Sequence, residues 1–215
     1  MATHQQKGPC YLCGQELTKG HMGRHLLSKH LADGGDQPCY LLKVTDEYGQ
    51  YWLFVDIPLS STLSTLDKFL RAVWVECCGH MSVFMQPNNY GAEYGMNKKI
   101  SSFAPGDILQ YDYDFGDTTT LMITFMEKTT RPKQREAVRV LARNAPYEVL
   151  CDKCGKPAEY IDPQEWPPVA VCKKCAKKLD EELLLPVVNS PRMGVCGYCG
   201  EYDRFAYVPK SVKSD

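Results

Sequence analysis

Four C-x-x-C pairs constrain this chain more than any other feature. Cys10/Cys13, Cys151/Cys154, Cys172/Cys175 and Cys196/Cys199 take up eight of its eleven cysteines in 215 residues. Two thiolates three residues apart can reach round one tetrahedral ion, which is the spacing of zinc ligands. Structural disulfides belong to oxidising compartments. The N-terminal stretch MATHQQKGPC has no apolar core of the kind a secretory signal needs, and no apolar run reaches the roughly 18 residues of a membrane span. The expectation is a cytoplasmic protein whose thiols bind Zn²⁺. No βαβ pattern surrounds any pair, which disfavours a redox dithiol.

The cysteines divide the chain into three parts. Residues 1–35 contain PCYLCGQELTKGHMGRHLLSKHL, in which Cys10 and Cys13 precede His25 and His30 as C-x2-C-x11-H-x4-H. This matches a C2H2 finger, one residue short between the second Cys and the first His. Leu17, Met22 and Leu26 are spaced to pack a small ββα unit, and His21 is an alternative ligand. His25 and His30 lie five apart, so the helix end is expected to loosen there. Lys19, Arg24 and Lys29 give the helix a basic face suited to phosphate. ADGGDQP (32–38) reads as a linker.

Residues 148–215 form a C-terminal zinc-binding module. CDKCGKP is a knuckle, and CKKCAKKLDEELL places its thiols where a helix begins, a treble-clef or ribbon layout. The helix dipole there favours thiolate. Seventeen residues separate Cys154 from Cys172, which supports one ion shared by Cys151, Cys154, Cys172 and Cys175. Cys196 and Cys199 are left as a half-site or an unmetallated turn; Cys77, Cys78 and His80 could complete a site, but buried structural cysteine is the commoner case and is the reading favoured for them. Two Zn²⁺ ions are expected, and a third is allowed. NSPRMG (189–194) reads as a structured loop, and the tail KSVKSD as disordered.

Residues 36–147 read as an α+β core. CYLLKVTDEYGQYWLFVDIP suggests two strands around an EYGQ turn. STLSTLDKFLRAVWVECCGH reads as a helix, with Leu63, Leu66, Phe69, Leu70, Val73 and Trp74 at helical spacing and Ser61 or Thr62 as cap. MSVFM is a short strand and PNNYGAEYGMN a loop. PGDILQYDYDF and TTTLMITFMEK form a second hairpin, and VRVLARN a last strand. The fold expected is an antiparallel sheet with one main helix, flanked by the two zinc modules. RPKQR supplies Arg131, Lys133 and Arg135 as candidate phosphate contacts.

YDYDFGD (111–117) raises the question of catalysis. Strand alternation puts Tyr111, Tyr113 and Phe115 on one face and Asp112 and Asp114 on the other. Such carboxylates could bridge Mg²⁺ in a two-metal nuclease or recombinase with Asp117 as a third acid. The simpler reading is an aromatic core face, a solvated acidic face and a turn that favours Asp.

With CYLLKV upstream and LDKFLRAVWVECCGHMSVF between, YDYDFGD gives residues 38–147 a resemblance to the plasmid pRiA4b ORF-3-like family. Its members are also described as TnpR-like passenger proteins of insertion elements. The finger and the LPVVNSPRMGVCGY segment look like appendages of one branch. The resemblance implies an α+β fold and a mobile-element or defence setting; it does not supply an activity. His80 and Phe84 match the family's helix-end pattern. Where the family runs FGD-x-W-x-H, this chain has Thr119 and Leu121.

With 25 basic and 26 acidic residues, bulk charge does not announce a nucleic-acid-tracking protein. The expected function is a non-enzymatic adaptor. It would dock a nucleic-acid-processing effector of mobile-element or CRISPR-type defence machinery, DNA or RNA, or both, and a homodimer is conceivable. The alternatives are the Mg²⁺-dependent enzyme and a finger-led DNA-binding transcription regulator.

Overall fold

The computed structural model describes residues 6–31, 34–87 and 92–200. Positions 32–33 of the expected linker, 88–91 of the expected loop and the tail 210–215 lie outside the described residues. The chain is mixed α/β, mostly antiparallel sheet with few helices.

The central sheet has seven strands, and every pairing in it is antiparallel. Its strands are β3 (Gln37–Asp46), β4 (Trp52–Pro58), β5 (Ser82–Met85), β6 (Glu93–Tyr94), β7 (Ile108–Tyr113), β8 (Thr119–Arg131) and β9 (Arg139–Arg143). They lie in the order β6-β5-β7-β8-β3-β4-β9. The EYGQ turn joins β3 to β4. The Asp46 carboxylate accepts from the amides of Tyr48 and Tyr51, and Gly49 supplies the positive φ of 68°.

Period-2 alternation sorts the strands onto two cores. Tyr40, Leu42, Val44, Leu53, Val55 and Ile57 face one way, towards the helix α2 (Leu63–Leu70). Leu41, Trp52, Phe54, Leu141 and Ala142 face the other way, where Met22, Leu26 and Leu31 of the N-terminal module cover them. WLFVDIP is buried at all seven positions because both faces are covered.

The helix expected over 61–80 is shorter. It begins after Thr62, whose hydroxyl makes no capping bond, and α2 runs on through a π-helical turn, Arg71–Val75. Residues 76–80 form a loop that leads to β5. π-Turns interrupt helices where side chains are being redirected, often at functional sites.

The N-terminal module is a hairpin, β1 (Lys7–Pro9) with β2 (Glu16–Thr18), followed by α1 (Lys19–Lys29). It shares its core with the sheet and is stitched to β9 by Tyr11 N–H to Leu141 O at 2.7 Å. The C-terminal module is a three-stranded sheet in the order β11-β10-β12, with β10 (Tyr160–Asp162), β11 (Val169–Val171) and β12 (Leu185–Pro186). Its one-turn helix α3 (Lys173–Ala176) begins after Cys172.

Candidate metal centres

Cys10, Cys13, His25 and His30 bring one ligand atom each into a group whose members all lie within 4.8 Å of one another. Cys13 Sγ is 3.4 Å from His25 Nε2, and His25 Nε2 is 3.2 Å from His30 Nε2. Zn–S bonds of about 2.3 Å and Zn–N bonds of about 2.0 Å in a tetrahedron separate ligand atoms by roughly 3.3–3.8 Å. The knuckle forms because Gly14, at φ 78°, lets its amide turn back to Cys10 O at 2.7 Å. α1 ends at Lys29; the amides of His30 and Leu31 both reach Leu26 O, so His30 hangs off the helix end towards His25. Burial and the neighbouring His25 lower the pKa of His30, which favours the neutral, ligating imidazole. His21 stays outside the group, with Nδ1 2.9 Å from Thr18 Oγ1.

Cys151, Cys154, Cys172 and Cys175 form a second group. Cys154 Sγ lies 3.6 Å from Cys172 Sγ and 3.7 Å from Cys175 Sγ. Burial opposes ionisation of Cys151, but the amides of Cys172, Lys153 and Cys154 outweigh it and bring its pKa down to about 6. Cys172 is lowered by the Cys175 amide despite its burial. Cys175 is pushed up to about 12, first by its hydrogen bond with Cys154 and then by burial. Without a cation, the four thiols cannot all ionise together. A divalent ion removes that conflict.

A third group was left open by spacing alone. Cys77, Cys78, His80 and Cys196 converge, also within 4.8 Å. The expected half-site is split: Cys199 is outside the group, with its thiol donating to Gly197 O at 3.3 Å. Burial raises the pKa of Cys77, but the Arg192 guanidinium at 3.4 Å outweighs it, and the net shift is downward.

YDYDFGD does not bring its acids together. Tyr111 and Tyr113 are core, as alternation requires. The strand ends at Tyr113, and Asp114 takes a left-handed backbone, φ 66°, which reverses the side-chain facing. Phe115 is therefore 55% exposed rather than on the aromatic core face. Asp112 accepts from Gln110 and from Thr120 Oγ1 at 2.7 Å. Asp114 is buried and accepts from Arg192 Nη2 at 2.6 Å, a bond that holds its carboxyl below the usual carboxylate range. Asp117 is exposed.

The basic residues also separate. Arg24 and Lys29 are exposed on α1. Lys19 spends its ammonium on Gly49 O at 2.6 Å. Lys133 and Arg135 are exposed, but Arg131 is 1% exposed and salt-bridged to Asp56 at 2.6 Å. Arg131 ends β8 instead of standing in a solvated loop, so it is not free to contact phosphate. Arg192 lies in the expected structured loop NSPRMG, and its burial beside a candidate metal group is not foreshadowed there. The proline before it and the turn signal around it point to a loop, and nothing local marks that loop as buried.

Fold and sites define a mixed α/β protein whose antiparallel sheet carries Cys/His groups able to hold metal ions towards both ends of the chain. No protein-family model matches it, and no curated protein does. Among solved structures it is similar to MM3350 from Methanosarcina mazei Go1, a protein of unknown function. The identity is 20% and the TM-score 0.43, over 57% of this chain and 76% of that one. None of the described helices is long and apolar enough to cross a membrane.

Proposed function

We propose that this chain is a zinc-binding, non-enzymatic adaptor. It docks a nucleic-acid-processing effector of the mobile-element or CRISPR-defence kind, nucleic acid, or both. This is the setting implied by the resemblance to the plasmid ORF-3-like family. The observation that carries the reading is the closed ligand set at each end: Cys10, Cys13, His25 and His30, and Cys151, Cys154, Cys172 and Cys175. Four protein ligands fill a tetrahedral zinc and leave no position for substrate, which is how structural zinc is built. A C2H2-type finger and a treble-clef or ribbon-type module then act as presenting surfaces on a rigid sheet.

The finger presents only one side. Met22, Gly23 and Leu26 of α1 are buried against the sheet, while Arg24 and Lys29 face outward. A lone finger reads about 3 bp, and here its helix is already half covered. That favours an adaptor with backbone contacts over a sequence-reading regulator. Asp112 and Asp114 turn to separate partners and Asp117 stands exposed, which gives the Mg²⁺-dependent reading no convergent acid set.

The test is a tagged pull-down from the native host combined with DNA and RNA binding over a salt series. The expected result is a specific protein partner, or nucleic-acid binding that weakens with salt and with Arg24→Ala plus Lys29→Ala. Recovery of neither overturns the adaptor reading.

A further inference from the structure

We infer that Cys77, Cys78, His80 and Cys196 bind a third zinc-type ion, and that this ion clasps the segment 187–200 onto the central domain. The inference stands apart from the adaptor reading and does not rest on it.

Ligand geometry comes first. Cys78 Sγ lies 3.7 Å from Cys77 Sγ and 3.7 Å from Cys196 Sγ. His80 Nε2 lies 3.0 Å from Cys78 Sγ and 3.3 Å from Cys196 Sγ. Sulfurs about 2.3 Å from one tetrahedral ion sit roughly 3.8 Å apart, so the sulfur spacings fit. A donor set of three thiols and one imidazole selects zinc among common divalent ions.

The backbone gives an independent sign. Among the described residues, only Asp114 and Cys196 combine a side chain with positive φ, at 66° and 47°. Both are at this site. Left-handed backbone is unfavourable for residues with a Cβ and persists where surrounding contacts impose it, commonly at functional sites.

The third observation is how Tyr113 organises the loop. Its hydroxyl accepts from the amides of Cys77 at 3.4 Å and His80 at 3.3 Å and donates to Glu76 Oε1 at 2.8 Å. Glu76 also accepts from the Gly79 amide at 2.6 Å. The loop 76–80 is thus held in a ligating shape by protein groups alone. Arg71 and Arg192 lie over the Tyr113 ring at 4.9 and 4.8 Å.

A buried cation stands in the same place. Three thiolates and a neutral imidazole around a divalent ion leave one net negative charge, and Arg192, wholly buried, is shared between that site and a carboxylate, with Nη2 3.4 Å from Cys77 Sγ and 2.6 Å from Asp114 Oδ2. Asp114 Oδ2 is also 3.4 Å from His80 Nε2, the nitrogen of the ligand set, so its role is to hold Arg192 and not to orient the imidazole. Tyr113 and Arg192 are positioning residues, and the YDYDFGD motif acts on the site from outside the four-residue ligand set.

The clasp follows from which chain segments meet. Cys196 lies 116 residues from His80. Its segment already caps the helix end: Ser190 Oγ donates to Trp74 O at 2.7 Å, and Tyr198 OH to Val73 O at 3.2 Å. These carbonyls belong to the last turn of the helix, where partners must come from outside. Arg192 adds Asp117 O and Thr119 Oγ1, each at 2.9 Å. An ion on Cys78 and Cys196 closes that docked segment.

The experiment is a metal count by native mass spectrometry on the full chain purified with zinc, with hydrogen exchange as second readout. The expected result is three ions per chain. Cys78→Ser and Cys196→Ser each leave two, and Cys199→Ser leaves three. In Cys196→Ser, amides of 190–198 exchange at least tenfold faster, while those of α1 and β10 are unchanged. Should the variants not fold, alkylation of the wild-type protein decides: Cys78 and Cys196 are protected until chelation, and Cys199 reacts throughout. Two ions in the wild type, three in Cys196→Ser, unchanged exchange of 190–198, or a freely reactive Cys196 in the zinc-loaded protein overturns the proposal. None of these results bears on partner capture, so the two readings fail separately.

Discussion

Asp56 sits fully buried in β4 and receives two guanidinium groups, Arg131 from the end of β8 at 2.6 Å and Arg139 from β9. Arg131 is further held by Gln37 Oε1 and the carbonyls of Glu136 and Ala137. A buried pair gives little net stability over an apolar substitute, but removing one partner strands the other charge. Asp56→Ala is expected to cost about 3–5 kcal/mol. Urea unfolding should show a lower midpoint with an unchanged slope; a loss under about 1 kcal/mol would contradict this account. The arrangement explains why RPKQR misleads as sequence. A basic run after a strand normally reads as solvated loop, and the partner that draws Arg131 inward lies 75 residues away. Asp114 misleads for a different reason. Period-2 alternation holds only while φ is negative, and no local signal announces that a non-glycine residue turns left-handed.

At the scale of elements, the strands and the ligand spacings near in sequence are legible, because each reflects a local rule. Alternation in β3 and β4 and C-x-x-C geometry do not depend on distant partners. What spacing cannot give is the docking of α1 onto the sheet. Gly23 marks that contact: a Cβ there would lie 2.6 Å from Met126 Cε and 3.2 Å from Phe54 Cε1. Gly23→Leu should cost about 1–3 kcal/mol through overpacking, while zinc affinity of the finger stays within about threefold, since all four ligands are local to the module. Gly23→Ala should be nearly neutral, as the flexible Met126 end moves aside and the helix gains about 1 kcal/mol of propensity. Denaturation and competitive zinc titration measure the two effects apart. The C-terminal element carries its own pH signature. In the folded arrangement of the four thiols Cys151 is drawn down to about 6 and Cys175 pushed up to about 12. Ligation needs thiolates, so at neutral pH binding releases at least the Cys175 proton, and affinity falls as pH falls. Calorimetry in buffers of different ionisation enthalpy reads the proton count; binding at about pH 7 with no proton release would refute it.

Across the whole molecule, the metal groups do unequal amounts of structural work. The larger core is built from Leu, Ile, Val, Phe and Tyr side chains of the long antiparallel ladders packed against those of α2 and its π-helical turn, Trp74 among them, and no candidate metal ligand is among its buried residues. The C-terminal module has no such reserve. Its two small clusters bury only Cys151, Val171, Cys172 and Ala176 in one and Ile161, Ala170 and Leu185 in the other. Half of the first cluster is candidate metal ligand. A unit that small cannot offset its conformational entropy by apolar burial alone, and with an ion on its four cysteines the binding free energy would be its folding free energy. The finger is intermediate, because Met22 and Leu26 pack on Trp52 and Phe54 whether or not a metal is bound. Chelation should then dismantle the protein in order. Amides of β10 and β11 lose protection first, those of α1 partly, and those of β3, β4 and β8 keep theirs. Hydrogen exchange with and without a strong chelator follows all three at once. Simultaneous loss of protection in β3 and β10 would mean that the molecule is one cooperative unit held by its metals, and the division into a self-supporting sheet and metal-dependent modules would be wrong.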